Sequence, residues 1–131
     1  MKRVLPAALG LLVLAGACSN NDGGGPTGPL SADAAGEAVL GLCEIREATD
    51  ADAASATFQD RTHQSLHDLA AAAEPIDRGV TADLLTSKQR VEADLEQPAL
   101  PETFGADVET LLSATWAALE TVGLEAPGCP A

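Results

Sequence analysis

The sequence predicts an all-α protein, a small four-helix antiparallel bundle with up-down-up-down order. Three observations lead there. Between Ser31 and Val122 strong helix formers dominate and runs of β-branched residues are missing. Apolar residues in that span recur at helical spacing, in four stretches. The breaks between the stretches are short and carry turn residues, which makes successive helices antiparallel neighbours.

The first helix is expected to begin after Ser31, whose hydroxyl suits an N-cap. At 100° per residue, Ala35, Ala38, Val39, Leu42, Ile45 and Thr49 share one face, with Cys43 on its flank. Thr49-Asp50-Ala51-Asp52 supplies capping chemistry and first-turn acids for the second helix. That helix runs to about Ala73, ahead of Glu74-Pro75, and its stripe is Phe58, Thr62, Leu66, Leu69, Ala73 and Ile76. Asp77-Arg78-Gly79 marks the next turn. The third helix carries Val80, Leu84, Val91 and Leu95 and stops at Gln97-Pro98. Lys88 lies near its stripe, where the stem can pack while the amine reaches out to water. The fourth helix presents Phe104, Val108, Leu111, Leu112, Thr115, Leu119 and Val122, and Gly123 and Pro127 end it.

Ahead of the helices the chain has a different character. Lys2 and Arg3 precede an uncharged apolar stretch from Val4 to Ala17, roughly 14 residues against the 20 or so needed to span a bilayer. Those are the proportions of a secretory signal peptide over residues 1–17. Residues 18–30 are polar and rich in Gly and Pro, the composition of a flexible tether. The helical part then covers residues 31–123 and a short tail covers residues 124–131. Removing the signal takes away two of the seven basic residues and none of the twenty acidic ones, leaving a net charge of −15. A chain this acidic is repelled by nucleic acid, which excludes DNA and RNA as partners.

The end of the signal, Leu14-Ala15-Gly16-Ala17-Cys18, resembles the lipobox of bacterial lipoproteins, with Ala15 where a bulky aliphatic residue is usual. The resemblance covers only the signal and Cys18. It implies cleavage before Cys18, acylation of its sulfur (a palmitate-type anchor) and attachment to the cell membrane. Ser19 in place of Asp then favours the outer membrane in a host that has one. An ordinary signal cut at Ala15-Gly16-Ala17 is the alternative. With Cys18 lipidated, Cys43 and Cys129 remain, and an exported protein is expected to join them as one disulfide that pins the tail along the first helix. Closing a loop of about 86 residues stabilises a fold by on the order of 4 kcal/mol.

One cluster of side chains carries a candidate chemistry. His63 and His67, four residues apart, share a helix face and could chelate zinc or copper. They lie about 115° and 155° from the apolar stripe of their helix, outside the core. The turn to the third helix centres near Asp77, so residues whose numbers sum to about 155 stand level, which pairs His63 with Glu92 and His67 with Lys88. Glu92 is thus the candidate third ligand. A solvated face with an ordinary His–Glu contact is the plainer reading. Trp116, about 100° off its stripe, is a candidate partner contact or else a half-buried boundary residue. The sequence holds no C-x-x-C-H, H-E-x-x-H, G-x-S-x-G, phosphate loop or EF-hand loop. It points to a non-enzymatic envelope binding or accessory module, with a Zn- or Cu-binding envelope protein as the alternative.

Overall fold

A computed structural model describes residues 30–125 and 127–131 of the chain. The signal, the tether up to residue 29 and Cys18 lie outside the described residues. Within them the structure is all-helical: α1 (Ala32–Arg46), α2 (Ala51–Thr57), a π-helical turn (Phe58–Thr62), α3 (His63–Ala73), α4 (Arg78–Leu95) and α5 (Phe104–Thr121). The π turn joins α2 and α3 into one continuous rod, so there are four rods joined by short connections. Rods adjacent in sequence pack together, and α5 closes the ring against α1; α1 and α4 face each other diagonally. This is the expected antiparallel bundle.

The helix starts follow from local chemistry. Ser31 Oγ accepts from the Ala34 N–H at 3.1 Å, Asp50 Oδ2 from Ala53 at 2.9 Å and Asp77 Oδ1 from Val80 at 3.0 Å. Each satisfies one donor that a helix N-terminus leaves without a partner. At the far end of α5, Gly123 takes φ +79°. That left-handed residue lets the Leu124 N–H return to the Leu119 carbonyl at 2.9 Å, a Schellman-type stop.

The core is mostly aliphatic, built on Leu42, Ile45, Leu66, Leu84, Leu112 and Leu119 around the buried ring of Phe58, with Phe104 also buried. Cys43 and Cys129 form a disulfide with Cα atoms 5.4 Å apart. The tail runs beside α1, with Pro127 near Gly36 and Cys129 at the level of Cys43.

Two expected core positions lie elsewhere. Thr49 is exposed because α1 ends at Arg46, before the face on which Thr49 would fall. Ile76 is 63% exposed because the rod ends at Ala73 and Ile76 belongs to the connecting turn. Val80, Leu95 and Val122 pack on the core from partly buried positions. Among the described residues no helix is long and apolar enough to cross a membrane.

Candidate functional site

The π turn sets the orientation of the histidine pair. Ala54, Phe58, Thr62 and Leu66 are all buried, at a strict four-residue spacing. A regular α-helix advances 400° in four residues and would carry such a row off the core by about 40° at each step. The wider π turn absorbs that drift and keeps the row facing inward. It is held from α1: Thr62 Oγ1 donates to the Ala38 carbonyl at 3.1 Å, and the guanidinium of Arg61 spans Glu37 and Glu44. Gly41 lies directly beneath, where a Cβ would overlap Thr62 Oγ1. His63 is the next residue, its ring edge-on to Phe58 with centroids 5.8 Å apart.

The level pairing of the two rods is as expected. His63 Nδ1 stands 3.0 Å from Glu92 Oε1, and the rings of His63 and His67 are 4.7 Å apart, tilted by 74°. The His63 side chain is 31% exposed, yet its Nδ1 is shielded from water and makes no hydrogen bond, the nearby carboxylate lying out of line with it. His67 is exposed, next to Lys88. Partial burial, the Lys88 ammonium and the His63 ring hold the His67 pKa below its ordinary value. Its imidazole is therefore neutral, with a free lone pair, at pH 7.

Lys88 departs from expectation. Only 3% of the residue is exposed, so its side chain lies in the interior and does not reach out into solvent. Nζ instead donates to the same Glu92 Oε1 at 2.5 Å, one helical turn away. A lysine buried this far is tolerable only with a charged partner, and Glu92 is that partner. The carboxylate is thus already engaged by an ammonium and an imidazole. Among the described residues no group of three or more His, Cys, Asp or Glu side chains is placed to hold a metal ion. His63, His67 and Glu92 do come together, but Glu92 is not arranged as a third ligand.

A second titratable cluster escaped the sequence reading. Asp94 on α4 and Asp107 on α5 face one another, and burial together with hydrogen bonding to Asp107 and its charge raises the Asp94 pKa to about 6. Arg90 works against that rise, and its Nη1 is 3.9 Å from Asp107 Oδ1. Asp94 Oδ2 is shielded and has no hydrogen-bond donor, which together with the neighbouring Asp107 carboxylate favours the protonated form of Asp94. The level rule would have found it: the α4–α5 connection centres near residue 100, and 94 and 107 sum close to twice that. The same register lays out a shallow groove of about 430 Å³ between α4 and α5, from Val80 and Asp83 to Arg90 and Thr110.

Trp116 is partly buried against the core, beside Leu124 and the tail. Comparison with protein-family models, with curated proteins and with solved structures finds no match for this chain.

Proposed function

We propose that the protein is a lipid-anchored module of the cell envelope, held by acylated Cys18 on a Gly/Pro-rich tether and acting by binding rather than catalysis. The observation that carries this reading is the distribution of cysteines. The Cys43–Cys129 disulfide uses two of the three, in keeping with an oxidising compartment. It leaves Cys18, the one at the end of a signal-like segment, free for lipid. A binding or accessory role follows from the sequence, which offers no nucleophile–base motif, and from its strong acidity, which suits a protein partner in the envelope and not nucleic acid. Trp116, partly buried against the core, is the aromatic side chain we assign to such a contact.

Mass spectrometry of the protein taken from membranes tests the anchor. The expected mature N-terminus is Cys18 carrying added acyl mass, and Cys18→Ser should release the protein from the membrane fraction. A mature N-terminus at Cys18 without lipid, or a Cys18→Ser variant that stays membrane-bound, would overturn it. Crosslinking in intact cells tests the partner: a specific adduct lost in Trp116→Ala supports the binding role, and no adduct above background speaks against it.

A further inference from the structure

We propose that His63 and His67 form a two-imidazole chelate for a borderline transition-metal dication, Cu²⁺ or Zn²⁺, with Glu92 fixing the His63 ring from behind and solvent completing the coordination. This goes beyond the anchored binding module and does not depend on the anchor, so the titration below serves equally for chain recovered from membranes or from the soluble fraction. It also gives Glu92 a different task from that of a ligand.

The ring separation is the first argument. A metal-bound imidazole nitrogen lies about 2.0–2.1 Å from the ion, with the ring centre about 1.1 Å behind it. Two rings bound at angles between 90° and tetrahedral are then about 4.5–5.2 Å apart, centre to centre. The observed 4.7 Å falls inside that window. His67 is exposed, so its ring can turn toward the shared point without disturbing the core.

The second argument is the way His63 is held. Metal-bound histidines commonly donate their other ring N–H to a carboxylate, which fixes tautomer and orientation and raises ligand basicity. Glu92 Oε1 stands 3.0 Å from the shielded Nδ1, which makes no hydrogen bond as it stands; a small turn of the carboxylate would let Nδ1–H donate to it, leaving Nε2 as the ligand atom. Lys88, itself buried, keeps Glu92 from swinging away toward the ion. Glu92 is a positioning residue here, consistent with a pair of ligands and not three. Imidazole donors favour Cu²⁺ and Zn²⁺ over Ca²⁺ and Mg²⁺, which take oxygen ligands.

The test is a titration of the full chain, purified from membranes in detergent, with Cu²⁺ and separately with Zn²⁺, followed by calorimetry and by electron paramagnetic resonance of the copper form. The expected result is one equivalent bound with Kd of about 10 μM or tighter, and a copper spectrum showing two coordinated nitrogens. His67→Ala, on an exposed position that leaves the fold intact, should weaken binding at least tenfold and reduce the signal to one nitrogen. His63→Gln should do the same, with circular dichroism confirming the helical content. Glu92→Gln should weaken binding by about 10- to 100-fold while the two-nitrogen signal persists at saturation. Three results would overturn the proposal: no binding tighter than about 100 μM, an unchanged spectrum in His67→Ala, or competition by Ca²⁺, which would reveal an oxygen site. A Glu92→Gln variant that cannot be loaded at any copper concentration would make Glu92 a ligand and overturn its assigned role.

Discussion

Two seams of this bundle are joined by different means. Where α1 meets the π turn, the rods are brought close by Gly41, latched by the Thr62 hydroxyl on the Ala38 carbonyl, and tied to the tail through Cys43. Where α4 meets its two neighbours, ionisable groups lie partly or wholly out of water: Lys88 with Glu92 and His63 on one side, Asp94 with Asp107 on the other. The first seam depends chiefly on volume and chain connectivity, with the Arg61–Glu37 and Arg61–Glu44 ion pairs along its exposed edge. The second depends on pairing buried charge and, at Asp94 beside Asp107, on where a proton sits. Volume changes at the first should therefore cost the same at any pH, whereas the cost of replacing Asp94 at the second should change in size with pH.

The largest effect belongs to the first seam. Replacing Cys43 and Cys129 together by Ala and Ser should lower stability by about 4 kcal/mol, seen as a lower urea midpoint. Gly41→Val comes next. Its side chain would overlap Thr62 Oγ1 and crowd Arg61 Cβ, which lies 3.2 Å from a Cβ at this position. Overpacking of this kind costs about 2–3 kcal/mol. Equal losses at pH 5 and pH 8 are expected for both variants; a loss that doubles between those pH values would erase the contrast drawn above.

The two seams also differed in how far the sequence disclosed them. The caps at Ser31 and Asp50 were readable because a Ser or Asp bonds a donor three residues away, a wholly local event, whereas Asp77 was read only as part of a turn. The His63–Glu92 contact was readable because an antiparallel pair with a short connection fixes which residues stand level. The π turn was not anticipated, since a period of 3.6 was applied throughout, although the four-residue spacing of Ala54, Phe58, Thr62 and Leu66 fits a wider turn. Ile76 and Thr49 were misplaced for a related reason, periodicity being carried past the end of the helix. Lys88 was expected to reach water because its partner one turn on was considered only for its level with His63. Asp94 and Asp107 went unnoticed because each alone looks like one more surface acid in an acidic chain.

On the charged side, Glu92→Gln removes the anion from a lysine that is only 3% exposed. Stranding a fully buried charge costs about 3–5 kcal/mol. Glu92 itself is 27% exposed, so water can reach the vacated edge and a loss of about 2 kcal/mol is expected at pH 7. Glu92→Gln combined with Lys88→Met should recover most of it, because the apolar chain needs no counter-charge. Failure of the double variant to recover would mean that Glu92 acts mainly through His63.

The smallest effect is the most telling, because its sign is unusual for an aspartate. Asp94 has a pKa of about 6 in the folded chain against about 3.9 when unfolded, so the folded state holds the proton more tightly. Between those values the native protein binds more protons than the unfolded one, and stability falls as pH rises. The pair's contribution is fully present below about pH 4 and is lost by the time pH passes 6. The whole-protein curve sums every titrating group, so it alone does not isolate the pair. The difference between wild type and Asp94→Asn can. The amide cannot ionise and can still donate to Asp107, so the variant should match wild type near pH 4 and exceed it by about 1 kcal/mol above pH 7, solvent screening reducing the full linkage value. A stability difference that stays constant from pH 4 to pH 8 would show that folding does not favour the protonated form of Asp94. The second seam would then be packed in the same pH-insensitive manner as the first.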